Sequence, residues 1–103
     1  MRSTITPPIK DDEQELIKSW VSGYVKGLAD NNVLYEGYDE FHSYNDNWDI
    51  NIHTNGEPNT VQVVAHPQSW GEDGYLNTDM TQWVRIAHFD YNGNQKPIKE
   101  IAQ

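Results

Sequence analysis

The chain has 103 residues, no cysteine, and sixteen acidic residues against seven Lys and Arg, a formal charge of −9 at pH 7. That length suits one domain with a core of its own. The lack of cysteine rules out disulfides, thiolate metal sites and cysteine nucleophiles, and fits a reducing, cytoplasmic setting.

The acids are unevenly placed. Between Lys26 and Arg85 there is no basic residue except histidine, while the interval carries Asp30, Glu36, Asp39, Glu40, Asp46, Asp49, Glu57, Glu72, Asp73 and Asp79. A surface of that sign repels nucleic-acid phosphates and anionic lipid and attracts basic proteins. The bland counterpart is solubility alone. No run approaches the roughly 18 apolar residues of a membrane span, and residues 1–15 lack the apolar stretch of a secretory leader.

In chain order, residues 1–10 contain Pro7 and Pro8 without apolar periodicity and read as an arm ahead of one α+β domain over 11–103. Asp11 or Asp12 suits a helix N-cap, and Glu15 completes a capping-box pattern with Asp12. From there Leu16, Ile17, Trp20, Val21, Tyr24, Val25 and Leu28 fall at the spacing of a helix burying one face, predicted over 12–29. Asn31 and Asn32 suit a left-handed stop. Ser19, Gly23 and Gly27 stand four apart on its flank, where small residues would let another backbone approach: the protein's own sheet, or a second copy in a weak homodimer.

Residues 33–44 hold Tyr35, Tyr38, Phe41 and Tyr44 without a clean period. They read as a short strand near the start and an aromatic connection after it. Residues 48–54 alternate, with Trp48, Ile50 and Ile52 opposite Asp49, Asn51 and His53. Asn55-Gly56 signals a hairpin turn, and 60–66 return with Val61, Val63 and Ala65 on one face. Apolar must match apolar across the pair, so Asp49 and His53 share a solvent-side face with Gln62 and His66. Pro67 is expected to end that strand. After a polar, turn-rich stretch, 83–89 read as a strand apolar on both sides, with Val84, Ile86 and His88 on one face and Trp83, Ala87 and Phe89 on the other. Asn92-Gly93 marks a turn, and Pro97 leaves Ile98–Ile101 as an edge strand or a single helical turn. The fold expected is α+β: an N-terminal amphipathic helix on a mostly antiparallel sheet of three to five strands.

Chemistry-bearing patterns are sparse. His42, His53, His66 and His88 show neither helical nor local strand ligand spacing; His53, His66 and Asp49 could share a face, as a zinc triad or as exposed sheet residues. The runs from Asn45 and Asp90 place oxygens at alternate positions but lack the glycine and glutamate of a calcium loop. No phosphate-cradling or serine-elbow motif occurs. No metal, cofactor or catalytic residue is therefore expected. Trp70, in Ser69-Trp70-Gly71-Glu72-Asp73-Gly74, fits neither helix nor strand patterning, and an aromatic ringed by charge is typical of interface hot spots. The reading that results is a non-catalytic acidic module of the inhibitor, immunity-factor or nucleic-acid-mimic type. It would engage a basic protein through Glu36, Asp39, Glu40, Asp46, Asp49, Trp70, Glu72 and Asp73, as a monomer or weak homodimer. Its alternatives are a small enzyme or ligand-binding domain using the His53/His66/Asp49 face, and an accessory subunit docking by its helix flank or edge strand.

Overall fold

A computed structural model describes residues 9–97. The helix α1 spans Asp11–Asp30 and is followed by five strands: β1 (Asp39–Tyr44), β2 (Trp48–His53), β3 (Thr60–Trp70), β4 (Leu76–Thr78) and β5 (Val84–Asp90). All pairings are antiparallel. β1 pairs with β2, β2 with β3, and β3 also pairs with β5 along its first half and with β4 at its end. The α+β expectation is met, with one helix on a five-stranded sheet.

The register sets the core. Ile50 stands opposite Ala65 and Ile52 opposite Val63, so the apolar sets of β2 and β3 point to the face covered by α1. There Ile17, Val21 and Val25 join Ile50, Ile52, Val61, Val63, Ala65, Ala87 and Phe89, with Ile9 packed against them from just ahead of the helix. As expected from the alternation, Asp49 pairs with His66 and His53 with Gln62 on the opposite face. That face is less wet than its polarity implies: Asn51, Gln62, Val64 and His66 are all buried.

Several local expectations are corrected. The helix has Lys10 at its N-cap without a side-chain cap, so the Asp12 capping box does not form; Asp12 instead accepts the Glu13 N–H. Leu16 is 62% exposed and Trp20 37%, so the buried stripe is the narrower Ile17, Val21, Val25 set. The C-terminal stop is as expected: Asn32 is left-handed (φ 56°), and the Val33 N–H donates to the Leu28 carbonyl.

Gly23 and Gly27 approach nothing: a methyl at either would meet open space. The close approach lies instead at Gly93, where a Cβ would come within 3.1 Å of the Lys26 Cα at φ +84°. The turn expected at Asn92-Gly93 is thus also where the β5 exit packs on α1.

The segment 33–44 runs in the reverse of the expected order, with the connection first and the strand at Asp39–Tyr44. The β2–β3 link is a six-residue connection whose left-handed residue is Asn59, not Asn55 or Gly56. Pro67 does not end β3, which continues to Trp70. Its carbonyl accepts the Asp79 N–H, so its missing donor faces the same side, in the gap between β5 pairing and β4 pairing. A proline costs no ladder bond there. In β5 a bulge makes Ile86 an extra residue between Arg85, opposite Val64, and Ala87, opposite Val63. Both Ile86 and Ala87 join the core, and His88 falls opposite Gln62 on the other face, so the expected two-sided pattern of 83–89 is shifted by one residue. The Ile98–Ile101 segment lies outside the described residues.

Ile52→Ala should cost about 2–5 kcal/mol in urea unfolding, the range for emptying a buried aliphatic site. Leu16→Ala should stay within about 0.5 kcal/mol. Gly93→Ala should destabilise by about 1 kcal/mol or more through its positive φ and the approach to Lys26.

Candidate functional site

Three places gather chemistry-bearing side chains. The first lies between α1 and the edge strand β1. Two of the three inward positions of β1 are Glu40, opposite Ile52, and His42, opposite Ile50, the third being Tyr44, so a carboxylate and an imidazole sit where the neighbouring strand has isoleucines. The Glu40 carboxylate is closed in by donors. Tyr24 from α1 and His42 both reach Oε1, and Tyr38 reaches Oε2. The His42 Nε2 stands 2.5 Å from Oε1; facing an ionised carboxylate, that nitrogen carries the proton and Nδ1 is the free lone pair. The rings pack as a group, Trp20 stacked on Tyr24 at 5.6 Å and both edge-on to His42 at 5.5 and 5.1 Å.

Partial burial works to raise the Glu40 pKa, but the hydrogen bonds from Tyr24, Tyr38 and His42 outweigh it and hold the carboxyl below its ordinary value. Burial and the adjoining carboxylate push both tyrosyl pKa values up.

The second place is the sheet face away from α1. Asn51 donates to Asp39 Oδ1 at 2.6 Å and to the Glu40 carbonyl at 3.0 Å. Asp49 accepts from Thr78 at 3.2 Å, and His66 Nδ1 donates to the Gln82 carbonyl at 2.9 Å. Desolvation lowers the His53 pKa, with Arg85 and His66 adding to the effect and Asp39 opposing it. The groups of the anticipated His53/His66/Asp49 set are thus engaged singly with neighbours. Among the described residues no cluster of three or more His, Asp or Glu is arranged to hold a metal ion.

The third place is the β3–β4 hairpin. Trp70 stands opposite Leu76 at its neck. The tip is held by Gly71 N–H to the Tyr75 carbonyl (2.8 Å), Gly74 N–H to the Gly71 carbonyl (3.0 Å) and Tyr75 N–H to Asp73 Oδ1 (3.1 Å). Gly74 takes a left-handed φ of 85°. A side chain at Gly71 would strike Asn77 and Asp73. On this braced tip Trp70 is 63% and Tyr75 71% exposed, with Met80 also exposed nearby in sequence.

The eight residues anticipated as a contact surface do not form one. Glu40 points inward under α1 with both oxygens engaged. Asp39 and Asp49 lie on the opposite face, and Glu36 lies by the 54–59 connection, lining a cavity with Thr54, Asn55 and Pro58. Asp46, Trp70, Glu72 and Asp73 fall at one end of the sheet. The Gln68 N–H donates to the Asn47 carbonyl, and Ser43 Oγ to Gln68 Oε1, which sets the β1–β2 turn beside the end of β3. Tyr75 was missed by sequence reasoning, although its place just after the Asp73-Gly74 turn was a usable signal. The Tyr24/Tyr38/Glu40/His42 group was missed too: Tyr38, Glu40 and His42 stand at alternate positions of one segment, but nothing in the sequence marks Tyr24, on the helix, as their partner.

Among the described residues no helix is long and apolar enough to cross a membrane. No protein-family model, curated protein or solved structure matches the chain.

The lowered Glu40 pKa fixes a pH dependence. Its stabilisation is present above the unfolded-state value near 4.5 and is lost as pH falls through the lower folded value. Wild type should therefore unfold at higher urea than Glu40→Gln at pH 7, and the gap should close as the buffer is taken well below pH 4.5.

Proposed function

We propose that this is a binding domain whose β3–β4 hairpin receives a basic protein partner. The observation that carries this reading is the exposure of Trp70 and Tyr75 on a braced turn that also carries Glu72 and Asp73. Large rings on a stiff hairpin lose little entropy on contact, and neighbouring carboxylates steer cationic groups toward them. Asp46, on the adjoining β1–β2 turn, adds charge at the same end. The stretch from Val33 to Val84 contains no Lys or Arg to oppose that field. The acids of the opposite end and of the inward face contribute to the overall potential without touching the partner.

Net charge alone draws any polycation, so the test compares positions at equal charge. Binding of an oligolysine peptide, followed by calorimetry, should weaken several-fold more in Glu72→Lys/Asp73→Lys than in Asp11→Lys/Asp12→Lys, which makes the same change on α1. Trp70→Ala should weaken it by a further ~0.5–1 kcal/mol, the size of an exposed cation–π contact. Equal losses from the two charge reversals would remove the hairpin from the account.

A further inference from the structure

The four histidines differ in what their two ring nitrogens do. His88 is fully buried with Nδ1 at the Pro97 carbonyl. His66 is buried with Nδ1 on the Gln82 carbonyl. His53 Nδ1 accepts the Asn55 N–H. His42 alone sets one nitrogen against a carboxylate while the side chain stays 33% exposed, and among the described residues its Nδ1 has no hydrogen-bond partner. A carboxylate on one nitrogen fixes the tautomer, holds the ring and stabilises the imidazolium, which is the arrangement that makes the other nitrogen an effective base or nucleophile.

The surroundings support that use. Glu40 is itself held by the Tyr24 and Tyr38 hydroxyls, so it keeps its position when the imidazole changes charge. Trp20, partly exposed and edge-on to His42, gives an apolar surface beside the ring.

We propose that His42, oriented by Glu40, is a nucleophilic site for activated carboxylic esters with an apolar leaving group, independent of the hairpin. The His42 Nδ1 lone pair attacks the ester carbonyl carbon, forming a C–N bond, and the C–O bond to the leaving group breaks with its electron pair on the departing oxygen. The Nε2–H stays hydrogen-bonded to Glu40, whose charge stabilises the acyl-imidazolium so formed. Water then adds to the acyl carbon and the C–N bond breaks with its electron pair returning to Nδ1, which restores the neutral imidazole. Both protons of the water pass to solvent as the carboxylate is released, and the departed oxygen takes one of them up.

The probe is p-nitrophenyl acetate with the full chain. Wild type should hydrolyse it faster than free imidazole at equal concentration, and His42→Ala should lose that excess. Glu40→Gln, which can still accept a hydrogen bond from Nε2 but carries no charge to stabilise the acyl-imidazolium, should lower the rate by about tenfold, the lower end of what one hydrogen bond between charged groups contributes. His53→Ala should match wild type. Because these variants also remove contacts to α1, a second measurement uses the unaltered protein: diethyl pyrocarbonate should carbethoxylate His42 first of the four histidines, as read by peptide mass. First modification at another histidine, or a wild-type ester rate no greater than free imidazole, would overturn the proposal.

Discussion

The fold rests on β3. At eleven residues it is the longest of the described strands, and it pairs with three others, β2 along one edge and β5 then β4 along the other. Its strict alternation of Val61, Val63 and Ala65 against Gln62, Val64 and His66 decides which face every neighbour must present. A slip of one residue would bring Gln62 and His66 under the helix and turn three apolar side chains outward. The buried polar groups of the far face would lose their partners at the same time. The core, the helix position and the two hairpin ends therefore follow from a single register.

The edge strand β1 obeys that register with unusual residues. Beside Tyr44 its inward positions are Glu40 and His42, while its outward Phe41 is 46% exposed, the reverse of an ordinary half-buried strand. An inward charge on an edge discourages pairing with a further strand. It also needs donors, and α1 and the entry to β1 supply them through Tyr24 and Tyr38. The result ties the helix to the edge of the sheet by a polar clasp where β2 and β3 use aliphatic packing. The same clasp leaves His42 with one nitrogen committed and one open.

Where the period was clean, the sequence was legible. β2 and β3, their register and the helix could be read because each sets an apolar face against a mainly polar one. Leu16 and Trp20 fit the helical stripe but sit on its margin, beyond the width that the sheet covers. The bulge at Ile86 could not be read, since one inserted residue shifts the pattern without any marker such as glycine. β1 was misplaced because two of its three inward residues, Glu40 and His42, are polar. Pro67 misled because a proline interrupts a strand only where its missing donor would face a partner. Of the candidate sites, Trp70 was legible as an aromatic that no periodicity explained. The Glu40 group was not, because Tyr24 looked like one more core residue and its approach from α1 to Tyr38, Glu40 and His42 leaves no trace in the spacing.

The central claim is that the acidic field is read by a partner at one place, the end of the sheet formed by the β3–β4 hairpin and the β1–β2 turn. Mapping backbone amide shifts during titration with oligolysine tests this directly. Saturable changes should gather over residues 69–76 and around Asp46, shrink with added salt, and leave the first turn of α1 near its starting values. Shifts of similar size spread over Asp11, Asp12, Glu36 and Asp90 as well would contradict it, and would reduce the charge to a solubility device.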